Sequence, residues 1–211
     1  SPLGGMLTWV ELMQREYDSV LDEDGKSFLK ETAAAGHRMS RLIQDLLAYS
    51  RINAKPLEFE SIDCNLILEE VRANLFLDVS ASGAKIVSGE LPTVKGDRTL
   101  LLQLFQNLIS NAIKFRRPEV APEIEVEATA KKEDQWLIAI RDNGIGIPPE
   151  KRDRIFEAFH RLHSSEKYPG HGIGLTTCLK IVQRHGGQIW IESPSGQGTT
   201  FFFTMPSTIS N

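Results

Sequence analysis

The chain has 211 residues, of which 41% are apolar, 25% charged and 8% aromatic, with 24 basic against 28 acidic side chains and a net charge of −4. Such a chain buries roughly 70% of its unfolded surface without covalent staples, so Cys64 and Cys178 read as free thiols of a reducing compartment. Interspersed charge, no apolar run near the roughly 20 residues that cross a bilayer, and a start (SPLGG) without a secretion signal predict a cytoplasmic chain, with neither nucleic acid nor membrane among its partners.

Leu3, Met6, Val10, Met13, Tyr17 and Val20 alternate spacings of three and four, which predicts a helix with a heptad seam. A polar break, Asp22 to Gly25, follows, and Phe28, Thr32, Ala35, Met39, Leu42, Leu46 and Tyr49 then repeat the rhythm. Two helices joined so briefly run antiparallel, and one pair cannot hide its apolar stripes from water. Either the hairpin lies against the rest of the chain or two copies close a four-helix bundle; the homodimer is the better reading. Pro56 ends the helical region, which puts a domain boundary near Lys55, with domains 1–55 and 56–211.

Beyond the boundary, Cys64 to Ala81 reads as helix, Ala84 to Gly89 as strand, and Arg98 to Phe115 as a strongly apolar helix. Glu123 to Ala130 alternates like a half-buried strand, and Trp136 to Gly144 is an apolar strand running into a glycine turn; KKED could join them as a hairpin. Gly174 to Gly187 reads as a helix whose final Gly pair suits a left-handed cap, and IWIES and TTFFFTMP supply the last strands. The class is α+β, with helices layered on one sheet.

Four polar or glycine-rich clusters interrupt these apolar elements. Asn107, Asn111 and Lys114 stand one helical turn apart on one face; an amide oxygen can ligate Mg²⁺ and an ammonium can pair with phosphate, although such a face is often only solvated. Asp142 ends a strand before Gly144 and Gly146. It is either a turn former or an acceptor for an exocyclic amine, with glycines that let backbone approach a flat ring. Gly170, Gly172 and Gly174 precede a helix, where backbone N–H groups make an anion cradle. Gly196 to Phe201 is a glycine turn before a strand. Neither GxGxxG nor GxxxxGK[ST] occurs, so two common nucleotide readings lose support. The basic segment Glu150 to Gly170 could be a lid over phosphates, and His160, His163 and His171 lack the ligand frame of a metal site.

In order, NLISNAIKF, RDNGIGIP, IFEAFHRLH, GHGIGL and GQGTTF resemble the N, G1, F, G2 and G3 boxes of the sensor histidine kinases of two-component systems. The helical hairpin resembles their dimerisation and phosphotransfer domain, and RMSRLIQDLLAYSRI resembles the phytochrome-type kinases among them. The resemblance implies a catalytic α/β sandwich of the histidine-kinase ATPase type, the Bergerat fold, that binds ATP and Mg²⁺ and passes the γ-phosphoryl to a histidine, then to a response-regulator receiver domain, under an upstream sensor domain. By the same match Asn111 holds Mg²⁺, Asn107 and Lys114 face the phosphates as the catalytic pair, and Asp142 reads the adenine amine. Gly144 and Gly146 shape the base pocket; Gly170, Gly172 and Gly174, with Leu175, anchor the lid that carries Arg161 and His163; and Thr200 lies near the base, beside Asp142. His171 stands where that family has a small hydroxyl residue, and the acceptor histidine is expected just upstream of Ser1, since His37 belongs to the second helix.

Two rivals come from other classes. Gyrase-, chaperone- and mismatch-repair-type ATP hydrolases resemble the same sandwich but carry a glutamate where this chain has Asn107, and an amide cannot act as the general base that hydrolysis needs. The other rival is a non-catalytic dimeric signalling scaffold; response-regulator phosphatase activity is a further option that the resemblance leaves open.

Overall fold

The computed structural model describes residues 2–54, 56–131, 134–160, 168, 172–194 and 196–207. Two compact units divide the chain, Ser1–Arg51 and Ile52–Asn211. Among the described residues no helix is long and apolar enough to cross a membrane.

The first unit holds α1 (Pro2–Glu16) and most of α2 (Glu23–Ala54). The DEDG stretch, expected as a break, starts the second helix. Asp22 Oδ1 accepts the Gly25 N–H at 2.8 Å and the Asp22 carbonyl accepts the Lys26 N–H, so Glu23 and Asp24 fall in the first turn, where carboxylates suit the positive end of the helix dipole. Tyr17 and Val20, expected on the first helix, lie beyond its end at Glu16. The Leu7 side chain fills the space a Gly36 Cβ would need, and Glu11 Oε1 stands 3.1 Å from His37 Nε2, so the two helices pair. No residue of α1 is buried by this pairing, and Met6, Trp9, Met13, Phe28, Met39, Ile43 and Leu46 remain exposed.

In the second unit a five-stranded sheet has the order β2 (Lys85–Ser88), β4 (Glu123–Lys131), β5 (Gln135–Asp142), β7 (Thr199–Pro206), β6 (Ile189–Glu192). Only β2 and β4 run parallel. β4 and β5 form the expected hairpin, with Lys131 opposite Gln135. Alternation along β4 buries Ile124 and Val126 and exposes Glu123, Glu125 and Glu127, which leaves one face of the sheet for α3 (Cys64–Asn74), α5 (Arg98–Lys114) and α6 (Gly174–Arg184). Leu101, Leu104, Phe105, Leu108 and Ile109 of α5 are fully buried in this core, with Phe105 edge-on to Phe203 at 5.7 Å between ring centroids. Cys64 and Cys178 are free and buried, and burial pushes both thiols up to about 12.

Residues 64–81 make two helices rather than one. Leu75, at φ −97° and ψ 13°, ends α3 and precedes α4 (Phe76–Ser82); the bend turns Leu75 into the core and leaves Phe76 and Leu77 exposed. A separate antiparallel pair, β1 (Glu60–Asp63) with β3 (Thr93–Gly96), has no counterpart in the sequence reading; four residues are too few to print a period.

A buried histidine joins the two helices that frame the site. His185 Nδ1 lies 2.8 Å from the Ile181 carbonyl, and Nε2 accepts the Asp97 N–H at 2.9 Å, while Asp97 caps α5 through the Leu100 N–H. Burial is the main cause that lowers its pKa from 6.5; the adjacent Arg184 acts the same way, the Ile181 carbonyl and Asp97 against it. The unfolded chain therefore takes up this proton at a higher pH than the folded one, so stability is lost as pH falls below 6.5. We expect wild type to lose melting temperature relative to His185→Gln between about pH 7 and pH 5; a constant difference over that range would count against a neutral buried imidazole.

Candidate functional site

β5 ends at Asp142, opposite Ile124 of β4 and Thr199 of β7. Asp142 Oδ1 accepts two N–H groups, from Gly144 at 2.8 Å and from Thr199 at 3.1 Å, and Oδ2 accepts none from the described residues. Burial pushes the carboxyl up to about 6 from an ordinary 3.8, with the two N–H groups pulling the other way. The glycines are demanded by crowding. A Cβ on Gly144 would stand 2.6 Å from the Phe115 carbonyl, and one on Gly198, at φ +88°, would stand 1.9 Å from the Asp142 carbonyl. Gly146, at φ +73°, packs against the backbone of Pro194, Gly196 and Gly198, and the Ile145 N–H donates to the Phe115 carbonyl at 3.0 Å, which ties the loop to the end of α5.

Asn107, Asn111 and Lys114 lie along one face of α5. The Asn107 amide donates to the Gly174 carbonyl at 3.5 Å and bonds the Cys178 thiol, so it fastens α5 to the start of α6. The Asn111 amide, half buried, makes no hydrogen bond to a described residue. Lys114 Nζ sits 4.3 Å from the Phe115 ring centroid, and that ring packs on Tyr168 at 5.1 Å. At the start of α6, Gly172 has φ +73° and, among the described residues, no side chain caps the first N–H groups of Gly174 and Leu175. Thr176 Oγ1, in the same turn, is buried and has no hydrogen-bond partner among the described residues. Uncapped helical N–H groups favour an anion. Arg161, His163 and Gly170 lie outside the described residues.

Thr200 is not the residue beside Asp142. It pairs with Arg141, and strand alternation carries its side chain to the other face of the sheet; Thr199, one position earlier and buried, stands against Asp142. A groove of about 350 Å³ is lined by Glu125, Arg141, Glu192, Thr200 and Phe202 of that outer face together with Asp142, Gly198 and Thr199. Sequence reading also missed Ser193. Its buried hydroxyl accepts the Ile147 N–H at 2.7 Å, donates to the Gly198 carbonyl at 2.8 Å, and lies 3.1 Å from Thr199 Oγ1, while Arg152 donates to the Ile147 and Ser193 carbonyls. One serine after a strand carries no local signal of such a role.

The arrangement supplies a carboxylate acceptor at one end, an amide-and-ammonium helix face in the middle and an uncapped helix start at the other, which suits an amine-bearing base joined to phosphates. Among the described residues no cluster of three His, Cys, Asp or Glu side chains could hold a metal, so a Mg²⁺ ion on Asn111 would need further oxygen ligands such as water and phosphate. Gly198→Ala is expected to cost about 2 kcal/mol or more through backbone strain and the collision with Asp142, visible as a lower melting temperature; an unchanged melt would show that β7 can shift.

Residues 96–209 match the family model described as histidine kinase-, DNA gyrase B-, and HSP90-like ATPase, and residues 1–55 match the His Kinase A (phospho-acceptor) domain. Cyanobacterial phytochrome A of Nostoc sp. (strain PCC 7120) is 43% identical over 205 residues, 97% of this chain and 26% of that protein. The phytochrome-like protein Cph1 of Synechocystis sp. (strain PCC 6803) is 40% identical over 97% of this chain and 27% of its own length, so the chain spans about a quarter of these relatives. Full-length ShkA, solved in complex with AMPPNP, superposes with a TM-score of 0.75 at 26% identity, over 100% of this chain and 44% of that one. With an ATPase-family match over more than half its length, a phospho-acceptor match before it, phytochromes and sensor kinases among its relatives and histidine kinases among its structural neighbours, the chain belongs to the histidine kinase family.

Proposed function

We propose that this chain is the kinase core of a sensor protein that binds Mg-ATP on residues 56–211 and passes the γ-phosphoryl to a histidine expected just upstream of Ser1, on the dimerisation hairpin to which residues 1–55 belong, and from there to an aspartate of a response regulator. The observation that carries the reading is the division of labour within Asp142. With Oδ1 occupied by two backbone N–H groups, Oδ2 is left to accept from an adenine amine. Asn111 would hold Mg²⁺ by its amide oxygen, and the α6 start, with Gly172, Gly174 and Leu175, would receive phosphate oxygens. Bound Mg²⁺ supplies positive charge that offsets the phosphates during transfer. Lys114 adds a cation at the other end of the α5 face. Arg161, His163 and Gly170 belong to the lid in this reading.

Hydrolysis of the gyrase or chaperone kind is disfavoured by Asn107. Its amide cannot take a proton from water, and it is already engaged by Gly174 and Cys178. The exposed stripe of Met6, Trp9, Met13, Met39, Ile43 and Leu46 favours a second copy of the hairpin as partner, because burying each such side chain contributes about 1.5 to 3 kcal/mol.

Calorimetry is expected to show Mg²⁺-dependent ATP binding that Asp142→Asn weakens at least about tenfold at neutral pH without lowering the melting temperature. The asparagine Oδ1 still accepts both N–H groups, the buried charge is gone, and an NH₂ group now confronts the amine. Because the ionised carboxylate is the acceptor, wild-type affinity should fall as pH drops through about 6. Binding indifferent to Asp142→Asn would remove the basis of the reading. Sedimentation should report a species of twice 23.6 kDa, shifted towards the monomer by Met13→Glu; a monomeric wild type would remove the hairpin dimer.

A further inference from the structure

Ser193 lies on neither the α5 face nor the α6 start, yet its hydroxyl is completely used. It is 1% exposed, and a hydroxyl offers one donor and two acceptor sites. The Ile147 N–H takes one acceptor site at 2.7 Å. The single proton has two acceptors in reach, the Gly198 carbonyl at 2.8 Å and Thr199 Oγ1 at 3.1 Å. Given to Thr199, it would leave the buried Gly198 carbonyl without this donor; given to Gly198, it lets Thr199 donate in return and satisfies every group.

The Gly198 carbonyl and the Thr199 N–H belong to one planar trans peptide, and so point in opposite directions. Ser193 holds the carbonyl end, and the N–H end donates to Asp142 Oδ1 at 3.1 Å. The same oxygen of Asp142 is held from the other side by the Gly144 N–H, and Ser193 also grips Ile147 at the far end of that loop. From Ser193 through a rigid peptide to the carboxylate there is therefore no freely rotating joint other than the hydrogen bonds themselves. Arg152, donating to the carbonyls of Ser193 and Ile147, braces the same corner from outside.

We propose that Ser193 is a positioning residue for base recognition: through the Gly198–Thr199 peptide it holds Asp142 Oδ1, so that Oδ2 stays aimed at an exocyclic amine. This rests on the nucleotide reading above and adds to it a residue that never touches the base. Removing the hydroxyl frees the peptide to tilt, Oδ1 loses a donor, and the carboxylate can rotate away from the amine. The loss is specific to ligands that carry the amine, because the phosphate-facing groups on α5 and α6 are left as they were.

The test compares ATP with purine riboside triphosphate, which is ATP without its exocyclic amine, on the 211-residue chain by calorimetry. Wild type should prefer ATP by about tenfold, the value of one well-placed hydrogen bond to a charged group. Ser193→Ala should lose most of that preference, with affinity for purine riboside triphosphate changed by less than about twofold, which also reports a folded site. Equal weakening for both ligands means that Ser193 only supports the fold, and an unchanged preference means that the peptide holds Asp142 unaided; either overturns the proposal. If Ser193→Ala fails to fold, the same ratio measured in Ser193→Cys, whose thiol is a weaker donor, decides by the same criteria. A wild type that binds ATP without preferring the amine sinks the reading of Asp142 itself, and this inference with it.

Discussion

A carboxylate at the end of a central strand has two oxygens, and in this fold one of them is structural. Asp142 Oδ1 fastens β5 to β7 through the Thr199 N–H and starts the glycine loop through the Gly144 N–H. Every other feature of that corner follows from the crowding this creates. Gly198 passes so close to the Asp142 carbonyl that no side chain fits, Gly144 does the same against Phe115, and the loop is drawn onto the end of α5. The second oxygen is then available only because the first is fully committed. Were the carboxylate free to spin, neither oxygen would have a fixed direction.

The distance between the Asp142 carboxylate and the start of α6 is set by helices that are clamped rather than merely packed. α5 begins at Asp97, which caps it and whose N–H is gripped by His185 at the end of α6. Further along, Asn107 meets Gly174 at the start of α6, and beyond the last turn the Phe115 carbonyl receives Ile145 from the glycine loop. Hydrophobic contact between α5 and α6 is non-directional and would tolerate sliding; three polar clamps along one helix do not. Asn107 thus has a structural duty that the helical pattern alone does not announce.

Legibility in the sequence followed period and length. α5, β4, β5 and β7 are long enough to repeat their pattern, and their extents agree with the residues that suggested them to within a position or two. β1 and β3, four residues each, and the bend at Leu75 left no periodic trace. The DEDG stretch was visible as polar, but whether a polar run breaks a helix or caps one depends on which side chain reaches which N–H, and Asp22 reaches Gly25. The choice between Thr199 and Thr200 is the sharpest case. Adjacent threonines look alike in sequence, yet pairing with β5 sends one to the core and the other to the open face, and register is a tertiary property.

Burial acts on His185 and Asp142, two of the titratable side chains of this unit, in opposite directions and with different results. It lowers the pKa of His185 and raises that of Asp142, because in each case the charged form is the one that water had favoured. His185 is neutral at the expense of nothing, since both ring nitrogens have backbone partners that suit a neutral imidazole. Asp142 has no such resolution. Its Oδ1 accepts N–H groups that favour the anion, while its surroundings disfavour it, and the compromise near 6 leaves the carboxyl ionised but costly at neutral pH. A histidine serving only the fold would be expected to reach the first condition. A group left in the second, ionised, half buried and with one oxygen unused, is one that a ligand carrying an amine would relieve.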